Sequence, residues 1–262
     1  MKISIITIAL NNEQEIERTL LSVINQENIH LEYIVIDGKS DDNTPRIIGK
    51  YLGKIAYFVS EADKGITDAF NKGLRQATGE IVGFVNAGDW LEPNILSCVA
   101  EQMLRGNIDV LYGDVQYWKE ATKGYVCEAD HKYLPLFMSL NHQACFARME
   151  LFKQYGFFDN AYSIASDYEL MLRFFNKGAA FVYCHRILSN MSLGGVSDVH
   201  WRENYRQAWQ IRKKYYPPTI IKYLQYWALV AKKYTSTTMS RIGLESVNEF
   251  YKKHFAQIKK YK

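Results

Sequence analysis

Cysteine is scarce in this chain and follows no pattern. Cys98, Cys127, Cys145 and Cys184 form no CxxC pair and keep no zinc-like spacing, which excludes a disulfide framework and a zinc module. Set among apolar neighbours, they read as reduced core residues of a cytosolic protein. No run approaches the roughly 20 apolar residues of a membrane span. The apolar start, Ile3 to Leu10, passes straight into Asn11-Asn12 without a small-residue cleavage site, so it does not read as a signal peptide. No GxGxxG follows that segment, against a dinucleotide-binding dehydrogenase, and no glycine-rich basic loop, against a nucleotidyltransferase. A net charge of +4 is too small to argue nucleic acid. With 262 residues, 48% of them hydrophobic and 23% charged, the chain can bury the core of one α/β domain with a helical appendage.

What is there centres on the stretch from Ser60 to Trp90. From Ile66 the small and apolar residues Ala69, Phe70, Gly73, Leu74 and Ala77 keep the spacing of one helical face. Gly79 would suit the left-handed position beyond that helix. Ile81 to Val85 runs apolar without alternation, as a strand covered on both faces does. It ends in Asn86-Ala87-Gly88-Asp89, a carboxylate where open α/β sheets bind ligands. Upstream the motif repeats. Lys2 to Leu10 reads as a central strand, and Asn12 with Glu15 as a capping pair before a helix through Ile16, Leu20, Val23 and Ile24. Glu32 to Ile36 is a second strand that runs into Asp37-Gly38-Lys39-Ser40-Asp41-Asp42, and Thr44-Pro45 opens a helix. Ile55 to Val59 is a third strand, ending at Ser60-Glu61-Ala62-Asp63. Strand and helix in alternation imply a parallel sheet with right-handed crossovers, each strand leading into polar or acidic residues.

Four segments in this order resemble the family-2 glycosyltransferases of the GT-A fold. They are Ile5-Ile6-Thr7 through Asn11; Val35 through Asp37, Gly38, Ser40 and Thr44; Asp63-Lys64-Gly65-Ile66 through Asp68, Asn71, Lys72 and Gly73; and Thr78-Gly79-Glu80 through Asn86 and Asp89. The Asp-Lys-Gly-Ile form is similar to the branch that builds bacterial exopolysaccharide, capsule, lipopolysaccharide and colanic acid. The resemblance implies a mostly parallel, Rossmann-like sheet and inverting transfer from a nucleoside diphosphate sugar, UDP in the first instance, to a saccharide or lipid-linked saccharide. It assigns Thr7, Asp37, Asp63, Lys64, Asp68, Asn71 and Asn86 to the donor, and Asp89 to a Mg²⁺ or Mn²⁺ ion. Two positions depart from the family pattern. Gly38 stands where many members carry a second acid, and the loop at 86–89 holds one carboxylate, which can suffice for an ion shared with phosphates. Asp63 and Asp68 equally suit a helix N-terminus. Gly88 is the best argument for a rival reading, a non-catalytic nucleotide-sugar-binding module.

Farther on, a helix after Pro93 would bury Leu96, Val99, Ala100, Met103 and Leu104, and Asp109 to Asp114 reads as a strand. From Val115 to Leu140 the pattern breaks up among scattered aromatic residues. Asn141-His142-Gln143 resembles a family segment on the acceptor side, and Phe152 to Asp159 a family helix and turn. Asp167, in the first turn of a helix begun near Ile164, occupies the position of the family's general base, and Glu169 is the weaker candidate. Leu193 to Ser197 is a glycine loop that could close the site. We expect one domain to about Val199, with 1–114 holding the donor and 115–199 shaping the acceptor side. Residues 200–262 form a basic, aromatic helical extension suited to packing on that domain or to peripheral contact with an anionic membrane on its cytoplasmic face.

Overall fold

The computed structural model describes residues 1–119, 121–217 and 219–241. Strand β1 (Lys2–Ala9) is followed by α1 (Ile16–Ile24), β2 (His30–Asp37), α2 (Thr44–Gly49), β3 (Tyr57–Ser60), α3 (Ile66–Gln76), β4 (Ile81–Phe84), β5 (Trp90–Leu91) and α4 (Ile95–Arg105). Then come β6 (Val110–Lys119), β7 (Thr122–Cys127), β8 (Cys145–Arg148), α5 (Met149–Tyr155), α6 (Ser166–Asn176), β9 (Phe181–Ser192), α7 (Val196–Val199), α8 (Trp201–Tyr215) and α9 (Ile220–Arg241). Among the described residues the strands form one sheet, ordered β3-β2-β1-β4-β8-β6-β9-β5, with β7 paired to β6.

The expected parallel arrangement holds for β3, β2, β1 and β4. The second half is mixed: β8 runs antiparallel between β4 and β6, while β6 and β9 are parallel. Alternation along β1 explains the layers. Ile3 and Ile5 join α1 and α4 in one core, and Ile6 and Ile8 join α3, α5 and α6 in the other. Both faces of the sheet are thus covered, and its strand ends are left to carry the polar loops.

Several local expectations change. Gly79 is not left-handed. Its backbone lies against β1, where a Cβ would come within 2.7 Å of the Ser4 amide nitrogen. Asn12 and Glu15 form no side-chain cap; the Asn12 carbonyl instead accepts from the Glu15 and Ile16 amides. Leu104 is exposed. The stretch after Val115 is ordered as the end of β6 and the β6–β7 hairpin. Helix α8 is fastened to the domain: Gln207 accepts from the Ile164 and Ala165 amides, the Tyr215 hydroxyl donates to Glu169, and Ile211 is fully buried. Of the basic tail, residues 242–262 lie outside the described residues.

Candidate active site

The loops after β1, β2 and β3 are bound to one another at the carboxyl edge of the sheet. The Asn11 amide donates to Ser40 Oγ at 2.8 Å, the Asn12 amide to Thr44 Oγ1 at 2.8 Å, and the Glu13 amide to Asp42 Oδ2 at 3.0 Å. Asp37 is fully buried and organises its own loop, accepting from the Ser40 amide and hydroxyl and from the Ser60 hydroxyl. Gly38 leaves room for the neighbouring loop: a Cβ there would stand 2.7 Å from Asp63 Oδ2, so the Asp63 carboxylate would have to shift. Asp63 is half-buried and accepts from the Gly65 amide at 2.8 Å, directly before a cleft at the start of α3 in the chain. That cleft, about 330 Å³, is lined by Lys64, Gly65, Thr67 and Asp68, together with Asn160 and Ser163. Lys64 is exposed, and its amide donates to Asp68 Oδ2 at 3.1 Å.

Two donor candidates are placed in the fold itself. Thr7 is fully buried within β1, its hydroxyl 3.0 Å from that of Tyr33 on β2. Asn71 is 5% exposed; its amide group donates to the Phe158 carbonyl and accepts from the Phe158 amide, both at 3.0 Å. Both side chains bind other parts of the chain, and Asn71 ties α3 to the loop before α6.

The turn after β4 is built to turn one carboxylate inward. Gly88 has φ +96°, a left-handed value suited to glycine. The Thr19 hydroxyl accepts from the Gly88 amide and donates to the Asp89 carbonyl at 2.7 Å, and Arg18 donates to the Gly88 carbonyl. Asp89 is 8% exposed. Gln143 Nε2 donates to its Oδ2 at 2.9 Å, and the Ser192 amide approaches its Oδ1 at 3.4 Å. Burial pushes this carboxyl up to about 7, against the pull of His142 and of the two donors. Asn86 Oδ1, in the same turn, is buried with no hydrogen-bond partner.

A short 3₁₀ turn, His142–Ala144, joins this carboxylate to the second one. His142 is 9% exposed and packs edge-on to Phe70 with ring centroids 5.4 Å apart. Its Nδ1 is 3.5 Å from Asp167 Oδ2, and its Nε2 is buried without a partner. Asp167 lies in the first turn of α6, with Oδ1 accepting from the Tyr168 amide at 2.7 Å and its side chain 26% exposed. Glu169, by contrast, is 1% exposed and accepts from Arg173 and Tyr215, which makes it structural. The structure thus brings Asp89, Gln143, His142 and Asp167 together. Ser192 is the member that sequence reasoning missed; nothing in a strand-end serine marks its amide as a carboxylate donor.

The residues present fit a hard divalent cation only as part of its shell. No group of three or more His, Cys, Asp or Glu able to hold a metal occurs among the described residues. Asp89, and beside it the unpartnered Asn86 Oδ1 that the resemblance assigns to the donor, would supply protein oxygens to such an ion, whose other ligands would come from phosphates and water.

A mixed sheet covered by helices on both faces, with polar loops at its carboxyl edge, is the layout of the GT-A fold. Residues 4–153 match the family described as "Glycosyl transferase family 2", and the chain belongs to that family. A protein of Mycobacterium tuberculosis named "Uncharacterized glycosyltransferase Rv1514c" is 30% identical over 177 residues, 65% of this chain and 68% of that one. S. aureus TarS 1–349 in complex with UDP superposes with a TM-score of 0.61 at 20% identity, over 81% of this chain and 64% of that one. Mannosyltransferase PcManGT from Pyrobaculum calidifontis, in complex with GDP-Man and Mn²⁺, gives 0.59 at 18% identity, over 79% and 64%. The chain therefore spans a little under two thirds of both solved structures, and at these identities the likeness is one of fold.

Proposed function

We propose that this glycosyltransferase inverts the anomeric centre as it moves a sugar from a nucleoside diphosphate donor, UDP first, to a saccharide acceptor carried on lipid, in cell-surface polysaccharide synthesis. The observation that carries the reading is the His142–Gln143 turn, whose two side chains reach Asp167 and Asp89 respectively. Lys64 and Asp68 line the cleft at the start of α3 on the donor side, with Asp63 beside it, and the lysine and the helix N-terminus there favour negative charge.

Asp167 accepts the acceptor hydroxyl's proton on a carboxylate oxygen. The hydroxyl oxygen forms its bond to the anomeric carbon as the bond from that carbon to the diphosphate breaks, and both electrons leave with the phosphate. No covalent enzyme intermediate is needed. His142 holds the Asp167 carboxyl in place. A Mg²⁺ or Mn²⁺ ion held by Asp89 and Asn86 would steady the charge on the diphosphate, and PcManGT, solved with Mn²⁺, supports that choice. Gln143 fixes the Asp89 carboxyl in the orientation this requires. The basic composition of 200–262 supports peripheral contact with an anionic membrane.

The test is a screen of UDP-, GDP- and dTDP-sugars with mixed saccharide acceptors, read by release of free nucleoside diphosphate. Release from one donor class, dependent on acceptor, is expected. Donor binding without release under every condition would instead make the chain a nucleotide-sugar-binding module.

A further inference from the structure

Helix α9 presents an apolar stripe to solvent. Ile220, Leu224, Trp227 and Tyr234 recur at steps of four, three and seven, which places them on one face. They are 79%, 65%, 61% and 56% exposed, with Ile221 beside them at 67%. The other exposed large apolar residues, such as Leu10, Leu52 and Leu104, are spread singly over separate elements. The stripe is held outward by Tyr226, half-buried on another side of α9, whose ring centroid is 4.8 Å from that of Trp209 on α8. A contiguous exposed face of this kind marks an interface.

Charge selects the occupant. Helix α9 contains Lys222, Lys232, Lys233 and Arg241 and no Asp or Glu, and residues 200–262 carry fourteen Lys and Arg against three Asp and Glu. Pairing the stripe with a second copy would bring two strongly positive segments together, whereas an anionic lipid surface neutralises them. Tryptophan and tyrosine favour the headgroup level. No helix among the described residues is long and apolar enough to cross a membrane, so the contact is one of lying on it. We propose that α9 docks in the interface of an anionic membrane through Ile220, Leu224, Trp227 and Tyr234, holding the active site over a lipid-borne acceptor. This deepens the glycosyltransferase reading and rests on it for the nature of the acceptor alone.

The test is co-sedimentation of the full chain with phosphatidylcholine vesicles, with and without phosphatidylglycerol, against the double variant Leu224→Ser/Trp227→Ser. Wild type should bind the anionic vesicles, and the variant should bind them at least about tenfold more weakly, since each large apolar side chain contributes about that factor. High salt should weaken wild-type binding without abolishing it, because the apolar part is not screened. Equal binding by the two proteins, complete release by salt, or no wild-type binding would overturn the proposal. So would a dimer, seen by sedimentation equilibrium, that the double variant dissolves, since a second copy would then cover the stripe. Nucleoside diphosphate release from the donor panel, measured on both proteins in buffer, separates this from the enzymatic reading. The variant should equal wild type. Release by neither protein would count against the enzyme and leave the vesicle result standing.

Discussion

His142 Nδ1 lies 3.5 Å from Asp167 Oδ2, and the next residue in the chain, Gln143, donates to Asp89 at 2.9 Å. One 3₁₀ turn therefore touches a carboxylate on α6 and a carboxylate after β4. The turn is rigid for ordinary reasons. It leads into β8, which is hydrogen-bonded between β4 and β6, and the imidazole is packed against Phe70 and Phe84.

His142→Gln should accordingly lower turnover about 10- to 100-fold, the scale on which a small misplacement of a reacting group is felt. Donor KM and melting temperature should stay near wild type, and His142→Asn should behave in the same direction. The split between kcat and KM decides the matter: an unchanged kcat would leave His142 with a packing role alone.

The parallel half of the sheet was legible because buried strands are apolar throughout and each is punctuated by acidic or amide residues. The mixed half was not. β8 has four residues and β5 has two, too short for any periodicity, and both are defined by pairing with distant strands. Thr7 and Asn71 show the same limit at single positions. A polar residue on a strand or helix reads alike whether it faces a ligand or a neighbour, and only the fold brings Tyr33 to one and Phe158 to the other. The Asp89 turn was visible as a motif, whereas its partners Gln143 and Ser192 come from far along the chain. Gly88 was read as a missing acid; its φ of +96° gives it a positive reason to be glycine.

Glu32 should make the fold sensitive to acid. It is 8% exposed and, although burial opposes the charge, hydrogen bonds from Lys2, Ser4 and Thr78 hold its carboxyl down at about 2, below its ordinary 4.5. A depressed folded-state value stabilises above the unfolded one, so the contribution is complete above pH 4.5 and is lost as pH falls towards 2. Glu32→Gln should cost about 3 kcal/mol at neutral pH and flatten the acid limb of a stability curve measured by urea titration between neutral and low pH. A variant with the same acid limb as wild type would mean that the network does not bind the proton as described.

Asp89 has the opposite sign. Its carboxyl is raised from 3.8 to about 7, so the folded protein without ligand loses stability as pH rises through that interval. Asp89→Asn should therefore raise the melting temperature of the ligand-free protein at pH 8 and remove the decline between pH 3.8 and about 7, a trade of stability for function. The same change should abolish the thermal shift given by UDP with Mn²⁺, and chelator should silence the wild-type enzyme reversibly. A wild type fully active in chelator would remove Asp89 from metal binding.

Asp167→Asn tests the chemical step. A sugar hydroxyl attacks only as its proton is removed, and an amide of the same shape cannot take that proton. Turnover should fall about 10²- to 10⁴-fold. Stability should change little. The helix begins at Ser166 with no side-chain cap, and Asp167 contributes through the dipole of its first turn with a side chain 26% exposed, which is worth at most about 1 kcal/mol. Donor affinity should hold, because the carboxyl bonds to the Tyr168 amide and faces His142, while the donor cleft is lined by Lys64 to Asp68. Melting temperature, donor affinity by calorimetry and turnover, all measured on one preparation, distinguish the outcomes. A drop in turnover matched by a drop in melting temperature would make Asp167 a helix-start residue. Near-wild-type turnover would pass the role to His142, since Glu169 is already committed to Arg173 and Tyr215.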